Sequence, residues 1–163
     1  MTADLTEAGF SARPDGEVMR FKYAKLLMNL FNVLQAGLTD PHNIGPLRRH
    51  IRNEALACFS AAGIDCASAD EVRERQRDTY ETVDVPDYPR TAGSSWQSIE
   101  RGTGNIETDY LNGEICLLGR LHGIPTPAND ACVSLARTLL RNDSGPGLMS
   151  VAQFTGTIGR ASR

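Results

Sequence analysis

Apolar residues recur at helical spacing through most of this chain, and one stretch stands apart from the rest. Between Lys25 and Ala36, the side chains of Leu26, Leu27, Met28, Leu30, Phe31, Val33 and Leu34 cover almost the whole circumference of a helix turning by about 100° per residue. The polar positions Lys25, Asn29 and Asn32 fall in one narrow stripe, at about 0°, 40° and −20° on the same wheel. The pattern predicts one continuous helix from about Glu17 to near Gly37. A helix apolar nearly all round is usually buried, and its polar stripe then needs partners. A lysine and two asparagines facing one cleft suit an anionic or carbonyl-bearing ligand. The other reading is a stripe turned to water. Asparagine is a poor helix former, and the stripe carries no glutamate, which weakens that second reading.

The remaining elements follow from punctuation. Leu5 to Phe10 reads as a helix end with Gly9 as its C-cap, and Ser11 to Gly16 carries turn residues. Residues 1–16 therefore look like the tail of an upstream domain or a linker, with residues 17–163 forming one helical domain. Pro46 suits the first turn of a second helix, in which Leu47, Ile51, Ala55, Phe59 and Ala62 recur at near-helical spacing up to Gly63. Arg48, Arg49 and Arg52 lie elsewhere on that wheel and read as a solvated face. Ser68 and Glu71 fit a capping box opening a charged helix to about Thr79. Residues 82–93 read as a loop. Ser94 and Ser95 can cap a short helix to about Arg101. Gly102-Thr103-Gly104 interrupts it, and this is no phosphate-binding loop, because it follows a helix and no Gly-Lys-Ser/Thr follows. Ile106 to Leu121 predicts an amphipathic helix with Leu111, Ile115, Leu118 and Leu121 on one side, Glu107 in its first turn and Gly123 closing it. Thr126-Pro127 starts another helix to about Arg141, and a short terminal helix follows Gly147. No stretch sustains strand-type alternation, so the expected fold class is all-α.

Composition narrows the function. A length of 163 residues suffices for one domain with a real core. A net charge of −3 argues against a nucleic-acid or polybasic membrane binder. No apolar run is long enough to span a bilayer, and the N-terminus lacks the regions of a signal peptide, so a cytoplasmic protein is expected. Cys58, Cys66, Cys116 and Cys132 form no Cys-x-x-Cys pair, and with only three histidines no metal site is expected. The thiols read as reduced and partly buried.

Two blocks carry a resemblance. The first is Lys25-Leu26-Leu27-Met28-Asn29. The second runs from Ser94-Ser95-Trp96-Gln97, through Ile106-Glu107-Thr108-Asp109-Tyr110-Leu111-Asn112-Gly113, to His122-Gly123-Ile124-Pro125-Thr126-Pro127-Ala128-Asn129. In order and interval they resemble the motif series of the C-terminal domain of the ketopantoate reductase (2-dehydropantoate 2-reductase) family, over about residues 17 to 142. The resemblance implies an all-α domain of the 6-phosphogluconate dehydrogenase C-terminal-like type, here without the Rossmann domain. It implies NADPH as cofactor, a 2-oxo acid such as ketopantoate as substrate, and pantoate for pantothenate biosynthesis as product. A homodimer, or a separate Rossmann-domain polypeptide, is the implied partner. Lys25 matches the general acid that meets the developing alkoxide. Asn29 matches a substrate-contacting asparagine, and Ser95 the serine that holds the substrate carboxylate. Glu107 matches the glutamate on the nicotinamide-ribose side that helps arrange the lysine.

The chemistry is consistent with those roles. Reducing a ketone places negative charge on its oxygen, which a fixed ammonium can stabilise and protonate. Hydroxyl and amide groups bind a carboxylate directionally. The bland readings are a helix cap for Ser95 and a dipole partner for Glu107. Val33 stands where many members carry a second asparagine, and Asn32, one position earlier, is the candidate substitute. Asn43 lies where a loop asparagine of the family contacts substrate. Trp96 replaces the usual methionine. These departures leave open a bulkier or different 2-oxo acid. No Gly-x-Gly-x-x-Gly fingerprint accompanies the blocks, so the domain is expected to be incomplete as a catalyst alone. Two other functions compete: a non-catalytic helical binding or oligomerisation module, and a small enzyme using Lys25 as a Schiff-base nucleophile.

Overall fold

The computed structural model describes residues 2–41, 44–77, 94–102, 106–142 and 145–161. Among them there are nine α-helices and no β-strand, which bears out the expected all-α class. They are α1 (Thr2–Glu7), α2 (Val18–Asn29), α3 (Asn32–Gly37), α4 (Gly45–Ala61), α5 (Ala69–Gln76), α6 (Ser94–Glu100), α7 (Thr108–His122), α8 (Pro127–Asn142) and α9 (Val151–Ala161).

The core is built where α3, α4, α7 and α8 meet, with Phe154 and Ile158 of α9 inserted from the C-terminal side. Helix α4 buries the predicted face, Leu47, Ile51, Ala55 and Phe59, and leaves Arg48, Arg49 and Arg52 exposed. Pro46 sits in its first turn, where a missing N–H costs nothing. Helices α7 and α8 form a hairpin. Gly123, at φ 69°, ends α7 in the left-handed region that glycine enters without a side-chain clash. Gly119 lets the hairpin close, since a Cβ there would stand 2.6 Å from the Ile124 carbonyl oxygen. A short parallel bridge between Leu38 and Met149 ties the end of α3 to the start of α9. The end of α1 closes as expected: Gly9 is at φ 88°, and the Phe10 N–H donates to the Leu5 carbonyl at 2.9 Å. No residue of α1 is buried.

The structure corrects the pattern in three places. The expected continuous helix from Glu17 to Gly37 is two helices, broken at Leu30 and Phe31. In an unbroken helix the Leu34 N–H would donate to Leu30. Here it donates to Phe31 at 3.1 Å, and the Leu30 carbonyl instead accepts from the side-chain amide of Asn112 at 3.2 Å. A side chain inserted into the hydrogen-bond ladder is a sufficient cause for a break. Nor is this stretch buried all round, since Met28 is exposed. Leu121 does not share the buried side of α7. It lies about 80° from the line of Leu111, Ile115 and Leu118 and is exposed, on the same outer stripe as Tyr110 and Leu117. Third, α5 ends at Gln76, short of Thr79. Thr79 and the loop expected over residues 82–93 lie outside the described residues.

Candidate functional site

The break in the α2–α3 stretch divides the candidate residues. Lys25 and Asn29 ride on α2, Lys25 exposed and Asn29 half-buried. Asn32 opens α3, which packs against α6. Its side-chain amide donates to the Ser94 hydroxyl at 3.5 Å. Ser95, the next residue, is buried within α6 rather than standing before it as a cap. The structure thus brings Asn32 to the serine pair and sets the lysine turn of α2 immediately before it in the chain. These three residues ride on two helices rather than one.

Glu107 occupies the N-cap position of α7, and its side chain makes no capping bond. Its carbonyl accepts from the N–H groups of Tyr110 and Leu111, at 2.9 and 3.1 Å. The carboxylate is exposed and available to a ligand at the helix start. Glu107 and Lys25 are not joined by an ion pair. Asn43 lies outside the described residues. Arg48 stacks over the Phe31 ring at 5.3 Å, a cation–π contact against the break itself.

Sequence reasoning missed the groups that hold this arrangement. Asn112 donates to the Leu30 carbonyl and, at 3.0 Å, to the Asn129 side-chain oxygen. Asn129 donates in turn to the Ile51 carbonyl at 3.2 Å and to Glu54 at 2.7 Å. Glu54 also accepts the N–H groups of Ala128 and Asn129, at 2.9 and 3.0 Å, closing the N-terminus of α8. Asn112 and Asn129 are 1% and 0% exposed, so this is a desolvated network in which each lost partner is costly. One signal was available: Glu54 is a carboxylate on the apolar face of α4, between Ile51, Ala55 and Cys58.

A hollow of about 280 Å³ lies between α2 and α5, lined by Leu27, Met28, Arg52, Val72 and Arg73 among others. None of the candidate residues lines it. The cysteines are free, and burial pushes the Cys116 thiol up to about 12, with Asp130 beside it adding to the effect. Such thiols are inert rather than nucleophilic. No cluster of metal-ligating side chains occurs among the described residues, and no helix there is long and apolar enough to cross a membrane.

This arrangement defines the protein's class: an all-α domain in which a lysine and an asparagine end one helix and a second asparagine, opening the next, bonds a serine pair on a short neighbouring helix. Residues 17–140 match the family described as the ketopantoate reductase PanE/ApbA C terminal, and the chain belongs to that family. A 2-dehydropantoate 2-reductase of Aquifex aeolicus (strain VF5) is 26% identical over 143 residues, covering 82% of this chain and 44% of that protein. The crystal structure of a PanE/ApbA family ketopantoate reductase from Ralstonia eutropha JMP134 superposes with a TM-score of 0.66 at 25% identity. It covers 87% of this chain and 48% of the other. The chain thus spans about half the length of the relatives it matches.

Proposed function

We propose that this chain supplies the substrate-binding and acid-bearing wall of an NADPH-dependent reductase acting on ketopantoate or a closely similar 2-oxo acid. The observation that carries the reading is the packing of α3 on α6, directly after the lysine turn. There the Asn32 amide meets the Ser94 hydroxyl beside Ser95, and the lysine turn of α2 immediately precedes α3 in the chain. In this reading Ser95 and Asn32 bind the substrate carboxylate through a hydroxyl and an amide, and Asn29 holds the substrate from α2. Lys25 presents its ammonium to the ketone oxygen as charge develops there, and gives up a proton to it. An exposed Lys25 suits a cleft that is completed by a second domain, whose closure would exclude water and strengthen that interaction.

When bound, NADPH supplies the hydride. The described residues fit only one end of it. Glu107, an exposed acceptor at the start of α7, suits the ribose hydroxyls beside the nicotinamide. A carboxylate repels a pyrophosphate, and the described residues include no strand leading through a glycine-rich turn into a helix. The pyrophosphate end is assigned to a Rossmann-type domain beyond the described residues, in this polypeptide or another. The reaction would place the protein in pantothenate biosynthesis and in the cytoplasm.

The test follows NADPH oxidation with ketopantoate, using the chain together with a dinucleotide-binding partner domain. Lys25→Ala is expected to lower kcat by about 10²- to 10⁴-fold, the range for losing a positioned general acid, with the helical circular dichroism unchanged. Full activity in that variant would remove Lys25 from the role.

A further inference from the structure

At the helix break that separates Lys25 and Asn29 from Asn32, the Leu30 carbonyl accepts from the side chain of Asn112. We propose that Asn112 is a positioning residue: through the Leu30 carbonyl it fixes the angle between α2 and α3, and with it the placement of the lysine turn relative to the serine pair on α6. The inference rests on the reductase reading for the identity of the ligand, but not for the geometry.

Three observations support it. First, Leu30 lies between the two halves of the site, one residue after Asn29 and two before Asn32. A rotation at Leu30 and Phe31 therefore moves Lys25 and Asn29 as a unit against Asn32. Second, the backbone at the break does not hold itself. The Leu34 and Gln35 N–H groups both turn to Phe31, at 3.1 and 3.3 Å, which leaves the buried Leu30 carbonyl to Asn112. Without that donor the carbonyl would regain a partner if the helix straightened and Leu34 bonded back to it. The kinked and straight forms then differ by which N–H group serves one oxygen. Third, Asn112 is itself fixed. Asn129 holds it, Glu54 and the Ile51 carbonyl hold Asn129, and these groups sit on α4 and the first turn of α8. The break is thus referred to the most deeply buried part of the core. Asn112 also lies on the helix that Glu107 opens, so one rigid element fixes the lysine turn and presents the carboxylate.

The decisive measurement is the orientation of α2 relative to α3 and α8, from residual dipolar couplings of the backbone amides in the whole chain. Asn112→Ala should change the couplings of α2 to a new or averaged orientation, while α3 and α8 keep theirs. Unchanged couplings in α2 would overturn the proposal. In parallel, ketopantoate is titrated against the fluorescence of Trp96, the single tryptophan, next to Ser95 on α6. Asn112→Ala should raise the ketopantoate Kd by about tenfold or more, since small misplacements in such sites are expensive. Ile115→Val, which loosens the core one turn along α7 and leaves Leu30 its donor, should leave the Kd and the α2 couplings unchanged. An equal loss of affinity in both variants would reduce Asn112 to a stability role and sink the proposal. If Asn112→Ala does not fold, Asn112→Ser carries the same measurements, because its shorter side chain withdraws the donor from Leu30 while offering Asn129 a hydroxyl. A wild-type chain indifferent to ketopantoate would count against the reductase reading alone, and the couplings would still decide the role of Asn112.

Discussion

The N-termini of α5 and α8 are both closed by a glutamate, and they differ in where that glutamate comes from. At α5, Ser68 and Glu71 close the helix within their own four residues. The Glu71 N–H donates to the Ser68 hydroxyl at 3.2 Å, and the Ser68 N–H to the Glu71 carboxylate at 2.8 Å. The side chain of Glu71 is 43% exposed and is further held by Arg20. At α8 the free N–H groups of Ala128 and Asn129 point to Glu54, a residue of α4 that is 8% exposed. The first closure is a local motif that forms wherever those residues occur. The second exists only once α4 and α8 are packed, and it makes their packing specific, because an unpartnered carboxylate and two unpartnered amides could not remain in that interior.

Glu54→Ala should therefore break the comparison most severely. It removes three charge-assisted hydrogen bonds, counting the amide of Asn129, and also deprives Asn112 of a fixed neighbour. A loss of about 3 kcal/mol or more is expected from urea unfolding followed by circular dichroism. Glu54→Gln, which keeps one acceptor oxygen, should cost less. A Glu54→Ala chain as stable as the wild type would mean that α8 is held by its apolar face alone.

The same division explains how much was legible in the sequence. The all-α class, the buried face of α4, the capping box of α5 and the turns at Gly9, Gly63 and Gly123 depend on residues a few positions apart, and the pattern displays them. The break at Leu30 does not. The side chain that bonds the Leu30 carbonyl there is 82 residues away, and nothing between Lys25 and Ala36 announces it. For that reason the candidate residues could be named, while their division between two helices could not be foreseen. Leu121 is a lesser case: the spacing from Leu118 was right for a helix but pointed away from the core.

A smaller effect tests how the remote closure is reached. Gly119 lies on α7 where the chain after Gly123 folds back over it. An added Cβ would meet the Ile124 carbonyl oxygen at 2.6 Å and the Thr126 methyl at 2.7 Å. The first of these atoms is backbone, so relief requires moving the segment that delivers Ala128 and Asn129 to Glu54. Gly119→Ala is expected to cost about 1–3 kcal/mol from crowding, offset by up to about 1 kcal/mol from the better helix propensity of alanine. Thermal unfolding would show a net loss. A gain in melting temperature would mean that the hairpin turn has more freedom than its contacts indicate.

The smallest effect belongs to the local closure, and it is read through pH. Hydrogen bonds from the Ser68 backbone and hydroxyl, together with Arg20, hold the Glu71 carboxyl down to about 2, from 4.5 in the absence of these partners. A carboxylate with a lowered folded-state value contributes stability above its unfolded value, and that contribution disappears as pH falls through the folded one. For Glu71 the window runs from pH 4.5 down to about 2. Glu71→Gln keeps an acceptor for the Ser68 N–H, so the capping box survives and only the charge is removed. The melting temperatures of variant and wild type should differ by a constant small amount above pH 4.5 and converge as pH approaches 2. Because the pair with Arg20 is half-exposed, salt should shrink the difference further. A difference that instead grew on acidification would place the charge of Glu71 on the destabilising side, and would separate the cap from the ion pair that shares its carboxylate.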